Sequence, residues 1–158
     1  FKKFKFLIIL YILLSFIFLL NIKFDKSDFI IFNLMIVSVI SFDTFSYLFG
    51  NLFGKNKILK IISPNKTIEG FIGGFISSII FSIFYLLILK NSFNFIDLVF
   101  IILFIISSFI GDLFESIFKR LNNLKNSSNF LFSHGGFFDR FDSFILSIVT
   151  FSLYEIFI

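Results

Sequence analysis

Five long apolar segments, separated by polar stretches, form the main pattern along this chain. An apolar run of about 20 residues is long enough to cross a bilayer as a helix. The pattern therefore predicts an all-α polytopic integral membrane protein whose residues 1–158 form a single membrane domain. The expected helices cover about residues 6–20, 29–50, 71–89, 95–112 and 137–157. We expect the fourth to continue beyond the membrane to about Leu124.

Composition supports a membrane protein and excludes other classes. The chain is 58% hydrophobic and contains 31 Phe among 158 residues, more apolar side chains than a soluble domain of this size can bury. It has no Cys, so disulfides and thiolate metal sites are excluded. The basic start and first apolar run resemble a signal peptide, but no small-residue cleavage site follows. We therefore expect an uncleaved first span.

Basic residues are distributed unevenly between the two sides of this five-helix topology. Lys23, Lys26 and Lys90 fall on one side. Ten others fall on the opposite side: Lys2, Lys3, Lys5, Lys55, Lys57, Lys60, Lys66, Lys119, Arg120 and Lys125. The positive-inside rule then places the long loops 51–70 and 113–136 on the cytoplasmic face of the inner membrane. The net charge of +4 suits an anionic lipid surface or a phosphorylated substrate, and we predict no nucleic-acid partner.

Polar residues that are costly near hydrocarbon cluster at the end of the fourth span. Asp112, Glu115, Ser116 and Lys119 follow the i, i+3, i+4, i+7 spacing and share one helix face. Their carboxylates could hold a hard cation such as Mg²⁺, which could in turn bind phosphates. A solvated amphipathic helix extension explains the same spacing about equally well.

A glycine-containing turn precedes the fifth span, in the sequence HGGFFDRFDS of residues 134–143. Gly135 and Gly136 permit a tight turn and close approach of the backbone to a ligand. A helix that begins near residue 137 would direct its free N–H groups at that turn, where they suit an anion. His134 by itself is weak evidence for catalysis and could equally be an interfacial hydrogen-bonding residue.

Three charges enter the fifth span directly after this turn. Asp139 and Asp142 are three residues apart and could bind one metal ion together, with Arg140 between them. The alternative is a simple turn capped by Asp139. That alternative leaves Asp142 and Arg140 unexplained.

Ser63 and Pro64 predict the start of the third span, because an N-cap hydroxyl is followed by Pro at the first helical position. Lys66 and Thr67 in the resulting first turn could meet a phosphate. A helix cap without any catalytic role accounts for the same residues. Gly70, Gly73 and Gly74, which follow, predict a helix face that packs closely against a neighbouring helix.

Asp43 lies inside the second apolar run, near Ser46 and Tyr47. An acidic residue within a membrane span is a candidate functional residue by default. The alternative is an interfacial Asp at the cytoplasmic end of the helix.

Together these motifs resemble those of the phosphatidate cytidylyltransferase (CDP-diacylglycerol synthase) family. The resemblance rests on Ser116-Ile117-Phe118-Lys119-Arg120, Lys125 and residues 134–142, preceded by residues 111–116, Asp43-Thr44, Gly50, Gly54 and the SPNKTIEG of residues 63–70. It covers about residues 40–145. Two positions depart from the family pattern: Asn126 stands where Asp is usual, and Phe132-Ser133 where a Pro-Gly-like pair is usual.

The resemblance implies transfer of a cytidylyl group from CTP to phosphatidate at a lipid bilayer, and it allows a homodimer. It implies Mg²⁺, with a companion cation such as K⁺, on Asp112, Asp139 and Asp142. The other implied catalytic residues are Lys119, Arg120, Lys125, His134 and Arg140. The implied substrate contacts are Ser63, Lys66, Thr67, Ser116, Gly135 and Gly136. Asp43, Glu69 and Glu115 would support the metal site.

Other functions stay open at this point. A CTP-dependent lipid-alcohol kinase, such as one acting on a polyprenol, would need the same nucleotide, metal and membrane site. A transporter could line its path with buried Asp and Arg, although the charges cluster at one membrane face and no repeated half is visible. An inactive homologue is a third alternative. Family members commonly have more N-terminal spans, and the chain starts at Phe1 rather than Met, so we expect a reduced or a trimmed version.

Overall fold

Four helices and one small β-hairpin make up most of the computed structural model, which describes residues 10–13, 15–17, 20, 26–60, 62–90, 93–121 and 138–157. The helices are α1 (Lys26–Phe53), α2 (Ile68–Lys90), α3 (Phe95–Leu121) and α4 (Phe138–Phe157). The antiparallel strands β1 (Lys57–Leu59) and β2 (Ser63–Thr67) lie between α1 and α2. The predicted all-α polytopic class is confirmed, with the hairpin as an addition.

Three of the helices are long and apolar enough to cross a membrane: Asp28–Phe53, Ile68–Lys90 and Phe95–Leu121. They correspond to the predicted second, third and fourth spans. Helix α4 occupies the predicted fifth span, and its apolar portion, Asp142–Tyr154, is shorter. Most of the predicted first span and the predicted helix end near Leu124 lie outside the described residues.

The helices pack as two neighbouring pairs. Helix α1 packs chiefly against α2, and α3 against α4. Contacts link Asp43 to Ser143, and Lys66 to Asp112. The C-terminal parts of α1 and α3 therefore meet the hairpin and the N-terminal parts of α2 and α4. We call this region the polar end of the bundle.

Helix α2 meets its neighbours through a stripe of mostly small residues. Its buried positions recur every four residues: Gly70, Gly74, Ser78, Ser82 and Leu86. Small side chains let helix backbones approach closely where hydrocarbon surrounds the bundle. The Ser82 and Ser38 hydroxyl oxygens lie 2.8 Å apart in a buried hydrogen bond that joins α2 to α1. Large apolar residues of α2, such as Phe84 and Ile88, are exposed, as a lipid-facing surface requires.

The predicted helix start at Ser63-Pro64 is wrong. Residues 63–67 form strand β2, and α2 begins at Ile68. Thr67 provides the cap, since its Oγ1 accepts a hydrogen bond from the Gly70 N–H at 3.1 Å. Pro64 is tolerated because each strand of a two-stranded sheet is an edge strand. Ser63 and Thr67 are both suitable cap residues. Because residues 63–67 pair with β1 as a strand, the helix begins only after Thr67, and Thr67 is its cap.

Candidate active site

Three carboxylates meet at the polar end. Asp112 and Glu115 lie one turn apart on α3, and Asp142 lies near the start of α4. One oxygen from each lies within 4.8 Å of the others. We call these three residues the acidic cluster. The oxygens around a single Mg²⁺ lie up to about 4 Å apart, so the cluster has the donor type and nearly the spacing that a hard cation requires.

Gly111 allows α3 and α4 to approach at the acidic cluster. A Cβ at this position would lie 2.6 Å from the backbone oxygen of Asp142. Any larger residue would push the two backbones apart, because real Cβ atoms do not come so close to a carbonyl. The absence of a side chain at Gly111 therefore lets Asp112 and Asp142 share one site.

Two lysines pair with the acidic cluster. The Lys66 Nζ of β2 lies 2.5 Å from the Asp112 Oδ2, and the Lys119 Nζ pairs with Glu115 one turn earlier on α3. Among the side chains that the structure describes, the three carboxylates of the cluster contact two ammonium groups, an excess of one negative charge when all are ionised. An excess of carboxylate oxygens favours binding of a compensating cation.

An aromatic ring also holds Lys66. Its Nζ lies 4.8 Å from the ring centroid of Phe109, within the range of a cation–π interaction. Phe109 precedes Asp112 by three residues, so α3 presents a ring and a carboxylate to the same ammonium. The hairpin is thereby attached to α3 at the acidic cluster.

A cavity of about 290 Å³ lies beside Asp112. Its polar lining comes from α1, β2 and α3: Asp43, Ser46, Tyr47, Ser63, Asn65, Lys66, Thr67 and Asp112. Phe42, Phe71 and Phe109 form an aromatic wall, with ring centroids 4.6–6.2 Å apart. Apolar walls with a few convergent polar groups are typical of small-molecule sites. This cavity can therefore contact both the polar and the planar or apolar parts of a ligand.

Asp43 connects this cavity to α4. Its Oδ2 accepts a hydrogen bond of 3.2 Å from the hydroxyl of Ser143, the residue after Asp142. Asp43 lines the cavity together with Asp112. Although Asp43 lies inside an apolar helix, it therefore has a hydrogen-bond partner and borders a polar cavity.

Comparison with known proteins identifies the family. The sequence profile described as the cytidylyltransferase family matches residues 2–157, nearly the whole chain. The chain belongs to the cytidylyltransferase family. The resemblance inferred from the motifs is thereby confirmed.

Curated relatives in this family carry the name phosphatidate cytidylyltransferase. The relative from Staphylococcus haemolyticus is 42% identical over 137 residues, which are 85% of this chain and 52% of the relative. The relative from Staphylococcus saprophyticus is 41% identical over 140 residues, covering 87% and 52%. That from Staphylococcus aureus strain COL is 42% identical over 137 residues, covering 85% and 52%. The chain thus spans about half the length of the curated relatives it matches.

Many of the expected cytidylyltransferase site residues lie together in the structure. Asp112, Asp142, Glu115 and Lys119 form or border the acidic cluster, and Ser63, Lys66, Thr67 and Asp43 line the cavity. Glu115, expected only to support the metal site, offers a ligand oxygen alongside the two Asp. Ser116 is buried on the same helix.

Two expected residues contact the hairpin instead. The Arg120 Nε donates a hydrogen bond of 3.2 Å to the carbonyl oxygen of Ile62, in the turn between β1 and β2. Glu69, expected near the metal, accepts hydrogen bonds from Lys55 and Asn56 at the base of the hairpin. These contacts hold the backbone of the segment that carries Lys66.

Several expected site residues lie outside the part of the chain that the structure describes. Asp139 and Arg140 lie in the first turn of α4, but their side chains are outside the described part of the chain. Lys125, His134, Gly135 and Gly136 lie outside the described residues.

Sequence reasoning missed the aromatic wall and Asn65. Phe109 and Asp112 have helical i, i+3 spacing, which could have placed both on one face. In a chain with 31 Phe, however, one more aromatic residue gives no signal. Asn65 lies inside the family motif, but the predicted helix start places it in a helix turn and not in the strand that lines the cavity.

Proposed function

We propose that this chain carries the catalytic region of a phosphatidate cytidylyltransferase, acting in phospholipid biosynthesis. It would transfer the cytidylyl group of CTP to phosphatidate and produce CDP-diacylglycerol and pyrophosphate. This proposal rests on an acidic cluster beside a cavity that Lys66 lines, at the polar end of a membrane bundle. The names of the curated relatives support the same activity.

The reaction joins two polyanions. An oxygen of the lipid phosphate attacks the α-phosphorus of CTP, and the bond from that phosphorus to the oxygen bridging to the β-phosphate breaks. Pyrophosphate leaves with the bonding electron pair. Positive charge placed before the reaction lowers the repulsion between the reactants and stabilises the charge that develops on the leaving group.

The acidic cluster is the proposed Mg²⁺ site. Its oxygen donors fit this ion, and Asp112 and Asp142 would bind it, with Asp139 from the same turn of α4 as a further ligand. A bound divalent ion supplies positive charge to phosphate oxygens. A companion cation such as K⁺ at the same carboxylates would add to that charge, and Asp43 would support the site.

Side chains of the cavity would bind and orient the phosphates. Lys66 lines the cavity while it pairs with Asp112, so its ammonium is close to any phosphate that enters. Ser63, Thr67 and Asn65 offer hydrogen-bonding groups from the same strand. In this proposal Lys119, Lys125, Arg140, His134, Ser116 and the Gly135-Gly136 turn complete the catalytic site.

In this proposal the active site faces the cytoplasm. The membrane-spanning helices anchor it in the inner membrane. The basic residues concentrated at the polar end favour that orientation. CTP would then arrive from the aqueous side and phosphatidate from the bilayer. The exposed apolar residues of α2 suit contact with lipid, and the same surface is available to a second copy in a homodimer.

The direct test uses the full-length protein in liposomes that contain phosphatidate. We expect CTP and Mg²⁺ to produce equal amounts of pyrophosphate and CDP-lipid. Release of CDP instead would identify a lipid kinase, and failure to bind labelled CTP would contradict both enzyme functions.

Two variants test the proposed metal ligands in the same assay. Asp142→Asn and Asp139→Asn should each abolish most turnover at normal expression, whereas Asp28→Asn, in the first turn of α1 and far from the polar end, should not. Near-normal turnover of Asp139→Asn would remove that residue from the ligand set.

A further inference from the structure

The β-hairpin is too small to be stable by itself. Its strands have three and five residues, and they pair at Lys57 with Thr67 and at Leu59 with Ser63, with an irregularity between the two pairs. An isolated two-stranded hairpin is at best marginally stable in water. Nevertheless β2 carries Asn65 and Lys66 into the cavity, so contacts outside the two strands must hold it there.

Glu69 supplies such contacts at the base of the hairpin. Its carboxylate accepts hydrogen bonds from the Lys55 N–H at 3.1 Å, the Asn56 N–H at 3.2 Å and the Asn56 side-chain amide at 2.9 Å. Hydrogen bonds to an ionised acceptor are stronger than those between neutral groups. The Asn56 carbonyl oxygen in turn accepts a bond of 2.8 Å from the Ile68 N–H. The first residues of the hairpin are therefore bound to the first turn of α2.

A second contact holds the opposite end of the hairpin. There the Arg120 Nε of α3 donates to the Ile62 carbonyl oxygen at 3.2 Å. The strand that carries Lys66 thus runs between two attached ends. At the base the Glu69 carboxylate accepts hydrogen bonds from three donors, and at the turn Arg120 donates one described hydrogen bond.

We infer that Glu69 is a positioning residue whose carboxylate fixes the hairpin so that Lys66 meets Asp112 and the cavity. It acts through residues 55 and 56 and not through the cation, because it accepts its hydrogen bonds at the hairpin base and is not part of the acidic cluster. The predicted effect of Glu69 on CTP use rests on the proposed function, whereas its predicted effect on the stability of the hairpin is independent of that function.

The test is Glu69→Gln in the whole protein in lipid nanodiscs. Gln preserves the size of the side chain but removes the charge and one acceptor oxygen. Loss of about one charge-assisted hydrogen bond should speed amide hydrogen exchange of residues 55–67 roughly tenfold. Exchange in the middle of α1 should not change. The KM for CTP should rise roughly tenfold, because Lys66 is held less firmly at the cavity. The Mg²⁺ requirement should not rise, because the three carboxylates of the acidic cluster are intact.

Two further variants make the result specific. Asn56→Ala removes the side-chain donor but keeps both backbone donors, so its exchange should lie between the wild type and Glu69→Gln. It also tests the inference if Glu69→Gln fails to fold. Lys57→Gln removes a charge from the exposed face of β1 and should leave exchange unchanged.

Unchanged hairpin exchange in Glu69→Gln would overturn the inference. A raised Mg²⁺ requirement with unchanged exchange would also overturn it and would assign Glu69 to the metal site. If the wild type turns over no CTP, the proposed function fails, whereas the exchange measurement still decides the role of Glu69.

Discussion

The Lys66 Nζ lies 2.5 Å from the Asp112 Oδ2 and joins the β-hairpin to the acidic cluster of α3 and α4. Phe109 holds the same ammonium from the side, at 4.8 Å from its ring centroid. One lysine thus connects the strand that lines the cavity to the residues proposed to bind Mg²⁺. Nucleotide binding and cation binding are therefore expected to depend on each other.

Replacing Lys66 by Met should separate these two effects. Met preserves an unbranched apolar side chain but removes the ammonium that pairs with Asp112. We expect CTP turnover to fall about a hundredfold or more, because a preorganised positive charge is lost. Binding of Mn²⁺ as a probe, measured by electron paramagnetic resonance, should become tighter, since a competing cation has been removed. Lys57→Met on the exposed β1 is the matched control, and weaker Mn²⁺ binding in Lys66→Met would contradict the expectation.

Neutralising the acidic cluster should weaken cation binding. Asp142→Asn and Glu115→Gln each keep the side-chain size and remove one of the three carboxylates. We expect each to reduce Mn²⁺ affinity by at least about tenfold, as changes to a metal environment commonly do. Asp28→Asn removes an acidic group near the start of α1 and should not alter the affinity. Equal Mn²⁺ affinity in all three variants and the wild type would exclude the cluster as a cation site.

A methyl group at Gly111 should separate α3 from α4. The Cβ of Gly111→Ala would lie 2.6 Å from the Asp142 backbone oxygen, and a backbone cannot move aside as a side chain can. Overpacking of this kind costs about 1–3 kcal/mol, which should appear as a lower unfolding temperature in detergent. Mn²⁺ affinity should fall in parallel. Ile110→Ala, at the neighbouring and partly exposed position, should change neither quantity much, and a Gly111→Ala protein like the wild type in both would refute the close approach.

The Asp43–Ser143 hydrogen bond should appear as coupling in a double-mutant cycle. Ser143→Ala removes the donor to Asp43, and a buried acceptor left without its partner costs about 1–3 kcal/mol. We expect turnover to fall about tenfold or more in Ser143→Ala, but little further when Asp43→Asn is already present. Ser152→Ala, which removes a buried hydroxyl nearer the other end of α4, should leave turnover unchanged. Additive losses from Asp43→Asn and Ser143→Ala would show that the pair does not act together.

Local periodicity accounts for the correct predictions within single helices. The spacing of Asp112, Glu115 and Lys119 predicts one face, and the structure pairs Glu115 with Lys119 on that face. The same reasoning failed at Ser63-Pro64, where a cap followed by Pro suits a helix start but also suits an edge strand. Only pairing with β1 distinguishes the two, and that pairing depends on residues before the hairpin turn.

The sequence alone determined the membrane class, the approximate helices and the family, because hydrophobic length and motif spacing are properties of the chain itself. It also supplied most candidate residues of the site. The tertiary structure decided which of them meet: Lys66 with Asp112, Ser143 with Asp43, and Glu69 with the hairpin in place of the acidic cluster. These contacts join separate elements. They depend on how closely backbones such as that of Gly111 can approach, which no local pattern specifies.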